Sequence, residues 1–491
     1  MKNKYRYKFR GLGAVKFIFN PPLLALTISL ILVQGCRKFV EIAPPVTMPT
    51  AGSVFDNATT ATGAQLGIYL QMFGESVDKS AKFGMLADEL TSYSTDGFTR
   101  LLYINSLSPA FAYGGSWSPA YNYIYQANSV IEGLAASNSI PAAIKKQLTG
   151  EALFLRSFWN LYLTSWYGDI PLVNSTDYKA NNLLKRTPNQ QVCRQIISDL
   201  KQAETLLNSE YVDQSDTAIS TDRTRPNASA AEAVLARAYL YSKVYDSAEI
   251  EATNVINNSM YTLEPNLNNV FLAGSQEAIW QLQTPQPNTM QAIDGNQFIL
   301  LAAPDLGVTN CWTISPQLMS SFEPGDGRMT SWIGVYTDNT VTPAVSYYYP
   351  FKYQVHDASN NPGGRTEYPV VLRLAEQYLI RAEARAMQNN SSGALSDLNA
   401  IRHRAGLGDY AGATDQASLV AAILHERQVE LFTEWGHRWL DLVRTGNANT
   451  VMLVVAPQKG GTWSADGHQQ LLPIPQGELS LDYNLTQNPG Y

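Results

Sequence analysis

Cys36 is the side chain whose neighbours most narrowly dictate its chemistry. Lys2, Lys4, Arg6, Lys8, Arg10 and Lys16 precede it, no acidic residue occurs before Glu41, and the apolar run 23–33 ends at Gln34-Gly35-Cys36. A spanning helix needs about 20 apolar residues, so this shorter run predicts an export signal over residues 1–35. A thiol just after the cleavage point can be lipidated, and two or more acyl chains hold a chain stably on a membrane that it does not cross. An ordinary secreted chain with an incidental Cys36 is the alternative. The two remaining cysteines differ in context. Cys193 falls in a helical pattern with no histidine nearby, as a buried structural thiol would, and whether it pairs with Cys311 is open.

Catalytic constellations are sparse. The five histidines (His356, His403, His425, His437, His468) show no HExxH or paired metal spacing. Neither a GxSxG elbow nor a phosphate-cradling loop is present. Glycoside hydrolysis needs only two carboxylates across a cleft, and Asp88-Glu89 and Glu323/Asp326 are the adjacent pairs that could supply them. Each reads more simply as helix-surface or turn charge, and the stretch 323–328 (EPGDGR) as a tight turn without the ligand alternation of a calcium loop. The chain is therefore read as a non-enzyme with no metal and no cofactor.

Sugar binding demands less. The C–H faces of a pyranose pack on flat aromatic rings, and Tyr and Trp offer large rigid area at low entropic cost. Trp312, Trp332 and Tyr336, with Tyr93, Phe98 and Tyr113 from an earlier loop, are the candidate ligand-binding residues, and at least two of the six are expected at a ligand surface. Tyr347–Tyr349 read as a strand, and Trp117, opening a helix, as core.

These rings need a frame. Residues 36–58 are rich in Pro and small residues and read as a lipidated tether. Residues 59–283 carry helical periodicity in blocks. The block 149–166 is apolar almost all round and should lie between other helices. Within 229–256, Leu235, Ala236, Tyr239 and Ala248 occupy places of the tetratricopeptide pattern, as do Tyr378, Ala382, Ala394 and Leu398 in 376–404. Small residues at two of these places let antiparallel helices approach closely. Between the matches, 284–369 holds many Pro and Gly and little helical period, as a functional insert would. Residues 370–491 resume the frame and end in a tail. The fold class expected is mainly α, a tetratricopeptide-like helix-pair scaffold with a large loop-rich insert. Removing residues 1–35 takes six positive charges with it and moves the net charge from -7 to -13. Such an acidic chain is a poor nucleic-acid partner.

Four well-separated stretches carry a further signal: EALFLRSFWNLYLTSWYGDIPLV (151–173), LNAIRHRAGL (398–407), ERQVELFTEWGHRWLDLVRTG (426–446) and LLPIPQGELSLDYNLTQNPGY (471–491). Together with CRKFVEIAPP (36–45), they resemble the SusD/RagB family of Bacteroidetes outer-membrane lipoproteins. Departures are Gln34, Thr433-Glu434-Trp435 and the loops. The resemblance implies a helical protein with four tetratricopeptide-like helix pairs, lipid-anchored on the outer face of the outer membrane. Such a protein captures oligosaccharides, or in some members peptides, and passes them to a TonB-dependent SusC-like transporter without catalysis. A surface glycoside hydrolase is the competing enzyme class. Physically, 426–446 reads as one helix ended by Gly446, with Val429, Phe432, Trp435 and Trp439 as its core stripe. Glu426/Glu430 and Glu434/Arg438 would lie four apart on its faces.

Overall fold

The computed structural model describes residues 51–110, 116–285, 291–357 and 366–491. The signal, Cys36, most of the tether and Tyr113 lie outside the described residues.

The first helices are α1 (Ala58–Gln71) and α2 (Glu75–Leu86), followed by the short strand β1 (Leu90–Ser92) and helix α3 (Gly97–Tyr103). Asn57 and Asp96 cap α1 and α3 by accepting from the amides of Thr60 and Thr99, satisfying donors that a helix start leaves without partners. Then α4 (Trp117–Ala136) and α5 (Ala142–Tyr167) pack against one another, and α6 (Asn189–Leu206) lies against α5. The expectation for 149–166 holds: Phe158, Trp159, Tyr162 and Trp166 are all buried, with Trp280 and Trp435 closing edge-on or tilted around them. Helix α5 stops at Gly168, whose φ of 73° suits glycine.

The repeat reading also holds locally. Helices α7 (Ala228–Tyr241) and α8 (Tyr245–Asn257) pair, as do α9 (Leu374–Met387) and α10 (Ser391–Arg404). Ala236, Ala248, Ala382 and Ala394, the small residues of the pattern, are fully buried. Helices α11 (Gln416–Glu430), α12 (His437–Arg444) and α13 (Ala448–Gln458) complete the frame. Residues 51–491 form one compact unit, and no described helix is long and apolar enough to cross a membrane.

Three two-stranded antiparallel sheets tie the irregular parts to this frame. Strand β2 (Ala278–Gln281) pairs with β6 (Val370–Arg373), so the chain leaves for the insert and returns from it on adjacent strands. Strand β3 (Trp312–Ile314) pairs with β1, Ser92 opposite Trp312. Strands β4 (Ile333–Asp338) and β5 (Val345–Pro350) form a hairpin with Tyr336 opposite Tyr347, which places Tyr347–Tyr349 in a strand as their alternation predicts.

Two expectations fail, for one reason. The stretch 426–446 is not a single helix: it breaks over 431–436, where Thr433, Trp435 and Gly436 have positive φ. A Cβ at Gly436 would stand 2.7 Å from Phe83, so the tight turn is bound to glycine there. The predicted core stripe is nevertheless buried, and the turn's amides find partners, Thr433 donating to Glu89 and Trp435 to Ser80. The break turns Glu434 away from Arg438. Glu434 instead meets Lys352 at 2.5 Å and Arg373 at 2.7 Å, while Arg438 grips Asp88 at 2.7 Å.

The acidic residues thought to be surface charge are largely interior. Asp88, Glu89 and Asp326 are buried. Arg328 holds Asp326, Glu426 and Glu430 at 2.7–2.9 Å; Arg373 holds Glu277 and Glu430; Arg404 holds Glu277 and Glu430. Burial opposes ionisation of Glu430, but Arg404, Arg373 and Arg328 outweigh it and keep its carboxyl far below the usual range. Lys352 lies 4.0 Å from the centre of the Phe432 ring and 4.8 Å from that of Trp332. Insert and helical frame thus share a buried ionic core lined by aromatic rings.

Candidate ligand-binding site

Helix α2 presents Val77, Asp78, Ala81, Lys82 and Met85 on one face, as i, i+3 and i+4 spacing requires. Phe98, Thr99 and Leu102 of α3 stand across from them, and Gln297, Val308 and Trp312 of the insert close the third side. The resulting cleft encloses about 270 Å³. The β1–β3 ladder makes it, because it brings residue 312 beside residue 92. Backbone bonds from Tyr93 to Cys311 and from Thr95 to Leu306 extend the join.

Trp312 is only 6% exposed. Its indole N–H points to the Met85 sulfur at 3.2 Å, and Phe298 meets its ring at 5.9 Å. Little of the ring is exposed, and what it adds to the cleft lining is held rigidly. Asp78 is the one carboxylate among the described residues lining the space. Burial raises the cost of its charge, but Lys79 and Lys82 outweigh that and hold its carboxyl below the ordinary value. Lys82, for its part, is lowered by burial. The polar floor is therefore a compensated ion pair, and the cleft offers apolar rings, Thr99 and Gln297 to a ligand.

The six candidate rings do not form one platform. Trp312 and Phe98 both line the cleft. Tyr93, 37% exposed, packs edge-on against Tyr347 of β5 at 6.0 Å. Tyr336 is half-buried beside Tyr347 over Ile299 and Leu300. Trp332 is fully buried, its N–H donating to the Leu267 carbonyl at 3.0 Å, and its ring lies over the ionic core. It cannot contact a ligand, which corrects the expectation for that residue: the α11–α12 break and the insert close around it. Sequence reasoning missed Asp78, Lys82 and Gln297, and it set aside Tyr347; the i, i+4 pairing of Asp78 with Lys82 in an apolar helix was the available signal.

The carboxylate pairs weighed as catalytic are spent elsewhere. Glu323 binds Arg402 at 2.5 Å, and Asp88 and Asp326 are bound as above. Glu89, buried beneath the cleft's strand, has its carboxyl pushed up to about 8 by burial and by Asp88. Neither cysteine pairs with the other. Cys311 is buried, whereas Cys193 is partly exposed on α6, not interior as expected; burial raises both thiols. Among the described residues no group of three His, Cys, Asp or Glu is placed to hold a metal ion.

Known proteins share this build. Residues 309–491 match the SusD family, and residues 59–240 match the family described as starch-binding associating with outer membrane. SusD-like protein P2 of Formosa agariphila is 26% identical over 518 aligned residues, covering 95% of this chain and 99% of that one. A SusD superfamily protein from Bacteroides vulgatus superposes with a TM-score of 0.74 at 20% identity, over 89% of this chain and all of that one. A laminarin-binding SusD-like protein gives 0.70 at 23% identity, over 88% and 99%. Helix pairs, ladder-joined insert and matched segments lead to one assignment: the chain belongs to the SusD/RagB family.

Proposed function

We propose that the chain is a non-catalytic glycan-capture lipoprotein, held on the outer membrane through lipid on Cys36. It binds a short stretch of neutral oligosaccharide in the cleft of α2, α3 and β3 and delivers it to a TonB-dependent SusC-like transporter. The observation that carries this reading is that Phe98 and Trp312, 214 residues apart in sequence, line one cleft. Flat rings above a charge-compensated floor suit sugar C–H faces and favour no anion. The starch-binding description of the matched family and the laminarin binding of the structural neighbour support the ligand class. A glycosidase would need two carboxylates astride the bond, and among the described residues Asp78 is the one carboxylate that lines this space. Tyr93 and Tyr347, packed edge-on against each other, would extend the contact to a longer chain.

The test is to titrate the soluble chain from residue 37 with neutral oligosaccharides and with peptides, while assaying the mixture for cleavage. Saturable glycan binding without products is expected, with binding at the cleft weakened at least tenfold by Trp312→Ala. Product formation would overturn the non-enzyme reading, and binding of peptides alone would replace glycan by peptide as the cargo.

A further inference from the structure

A larger cavity, about 460 Å³, opens between α1 and the segment 211–226. Its volume falls in the range of small-ligand sites, about 300–1,000 Å³, whereas the aromatic cleft lies just below it. One wall is apolar: Leu66, Tyr69 and Leu70 from one stretch of α1. The facing wall is polar, with Gln214, Ser220, Asp222 and Thr224, and Gln283 at the side. Tyr368 stands by Gln283 and Asp222.

The cavity is held rigidly. Arg225, buried at its floor, donates to Glu151 at 2.5 Å, to Asp216 and to the Asp213 carbonyl. Tyr69 donates to the other Glu151 oxygen at 2.7 Å and accepts from Gln65. A bridge between Val212 and Ile219 and the turn that Asp213 closes by accepting from Ser215 fix the polar wall. These bonds use up the buried charges. On the rim, Ser220 accepts from the Asp222 amide, whereas among the described residues the side chains of Gln214 and Asp222 make no hydrogen bond. The arrangement is an apolar wall facing an open amide and an open carboxylate, which matches a sugar ring's C–H face and its hydroxyls. The rim carboxylates Asp213 and Asp222 stand against an anionic ligand.

We infer that this cavity is a second carbohydrate site, separate from the Trp312 cleft, that takes a neutral oligosaccharide against Leu66 and Leu70, over the buried Tyr69, with its hydroxyls on Asp222 and Gln214. The ligand class rests on the proposed function; the second location does not. Two sites would let one polymer be held at two points, which raises retention without any new contact type.

The test uses the chain from residue 37, which contains the whole compact unit, titrated calorimetrically with laminarihexaose and with maltoheptaose. Trigalacturonate serves as the anionic control. With either neutral probe, wild type is expected to bind two equivalents and Trp312→Ala one, with no uptake of trigalacturonate. Adding Asp222→Ala to Trp312→Ala should weaken the remaining site at least tenfold. Asp222 is exposed, so its loss leaves the core intact, and Phe98→Ala replaces Trp312→Ala if the latter lowers the melting temperature. Loss of all binding in Trp312→Ala would overturn the second site and leave the capture reading standing. Loss of all binding in Asp222→Ala with none in Trp312→Ala would keep the cavity and overturn the cleft. Failure of wild type to bind either neutral probe would overturn both.

Discussion

Trp312 and Trp332 stand twenty residues apart in one insert and end in opposite situations. The first edges a cleft beside a helix that carries none of the family's motif segments; the second is sealed over Arg373, Arg404 and Lys352. The motif 426–446 supplies Glu426, Glu430 and Glu434 to that sealed region and nothing to the cleft. The motif 426–446 thus builds the ionic core, whereas the residues that would meet a ligand lie outside the four motif stretches.

The largest effect that would break this contrast is expected at Arg373. Arg373→Ala leaves Glu277, Glu430 and Glu434 buried with one partner fewer, a loss of about 3–5 kcal/mol for a broken buried pair, measured by urea unfolding. Trp332→Ala follows, at about 3–5 kcal/mol from lost packing, and whatever fraction remains folded should bind glycan as wild type does. A selective loss of affinity in that variant would erase the distinction between the two tryptophans. Trp312→Ala reverses the pattern in binding, with at least tenfold weaker binding at the cleft, whereas Trp332→Ala leaves the cleft's affinity unchanged.

A pH series sharpens the comparison further. Glu89 is pushed up to about 8 by burial and the neighbouring Asp88, with Arg438 and Lys352 only partly offsetting them. Between about pH 4.5, where an unfolded carboxyl ionises, and pH 8, the folded chain keeps a proton that the unfolded chain has released. Stability therefore falls as pH rises through that window. Asp294, raised to about 7 chiefly by burial, adds to the same slope. Glu89→Gln should flatten the melting temperature between pH 5 and 8, and an unchanged slope would show that Glu89 is already ionised. The smallest effect is expected from Tyr348→Ala: no stability change beyond about 0.5 kcal/mol for an exposed side chain, and unchanged glycan binding, because its place in β5 turns it to the face opposite Tyr347.

Much of the frame was legible because its signals are local. Alanines at repeat places and an all-round apolar helix act within a few residues, whereas α3, which Asp96 caps, lies in a stretch read as loop. The break at 431–436 was not, because Val429, Phe432, Trp435 and Trp439 keep helical spacing straight through a turn that Phe83, 353 residues earlier, enforces. The charge partners were hidden for the same reason: Glu434 lies four residues from Arg438 yet pairs with Arg373. Of the candidate rings, sequence told which were numerous and aromatic. It could not tell which side of the insert would face the ionic core, because that depends on pairings between distant strands.

The β1–β3 ladder joins residues 90–92 to residues 312–314. A chain growing from its N-terminus has made α2 and α3 long before Trp312 exists, so one wall of the cleft waits for more than two hundred residues to be added. Closing so long a loop is slow, since contacts far apart in sequence must be gained against chain entropy. Ligand retention consequently reports completed folding: a fragment ending before residue 312 can form the early helices but has no cleft, and recovery of binding after dilution from denaturant should lag behind recovery of helix.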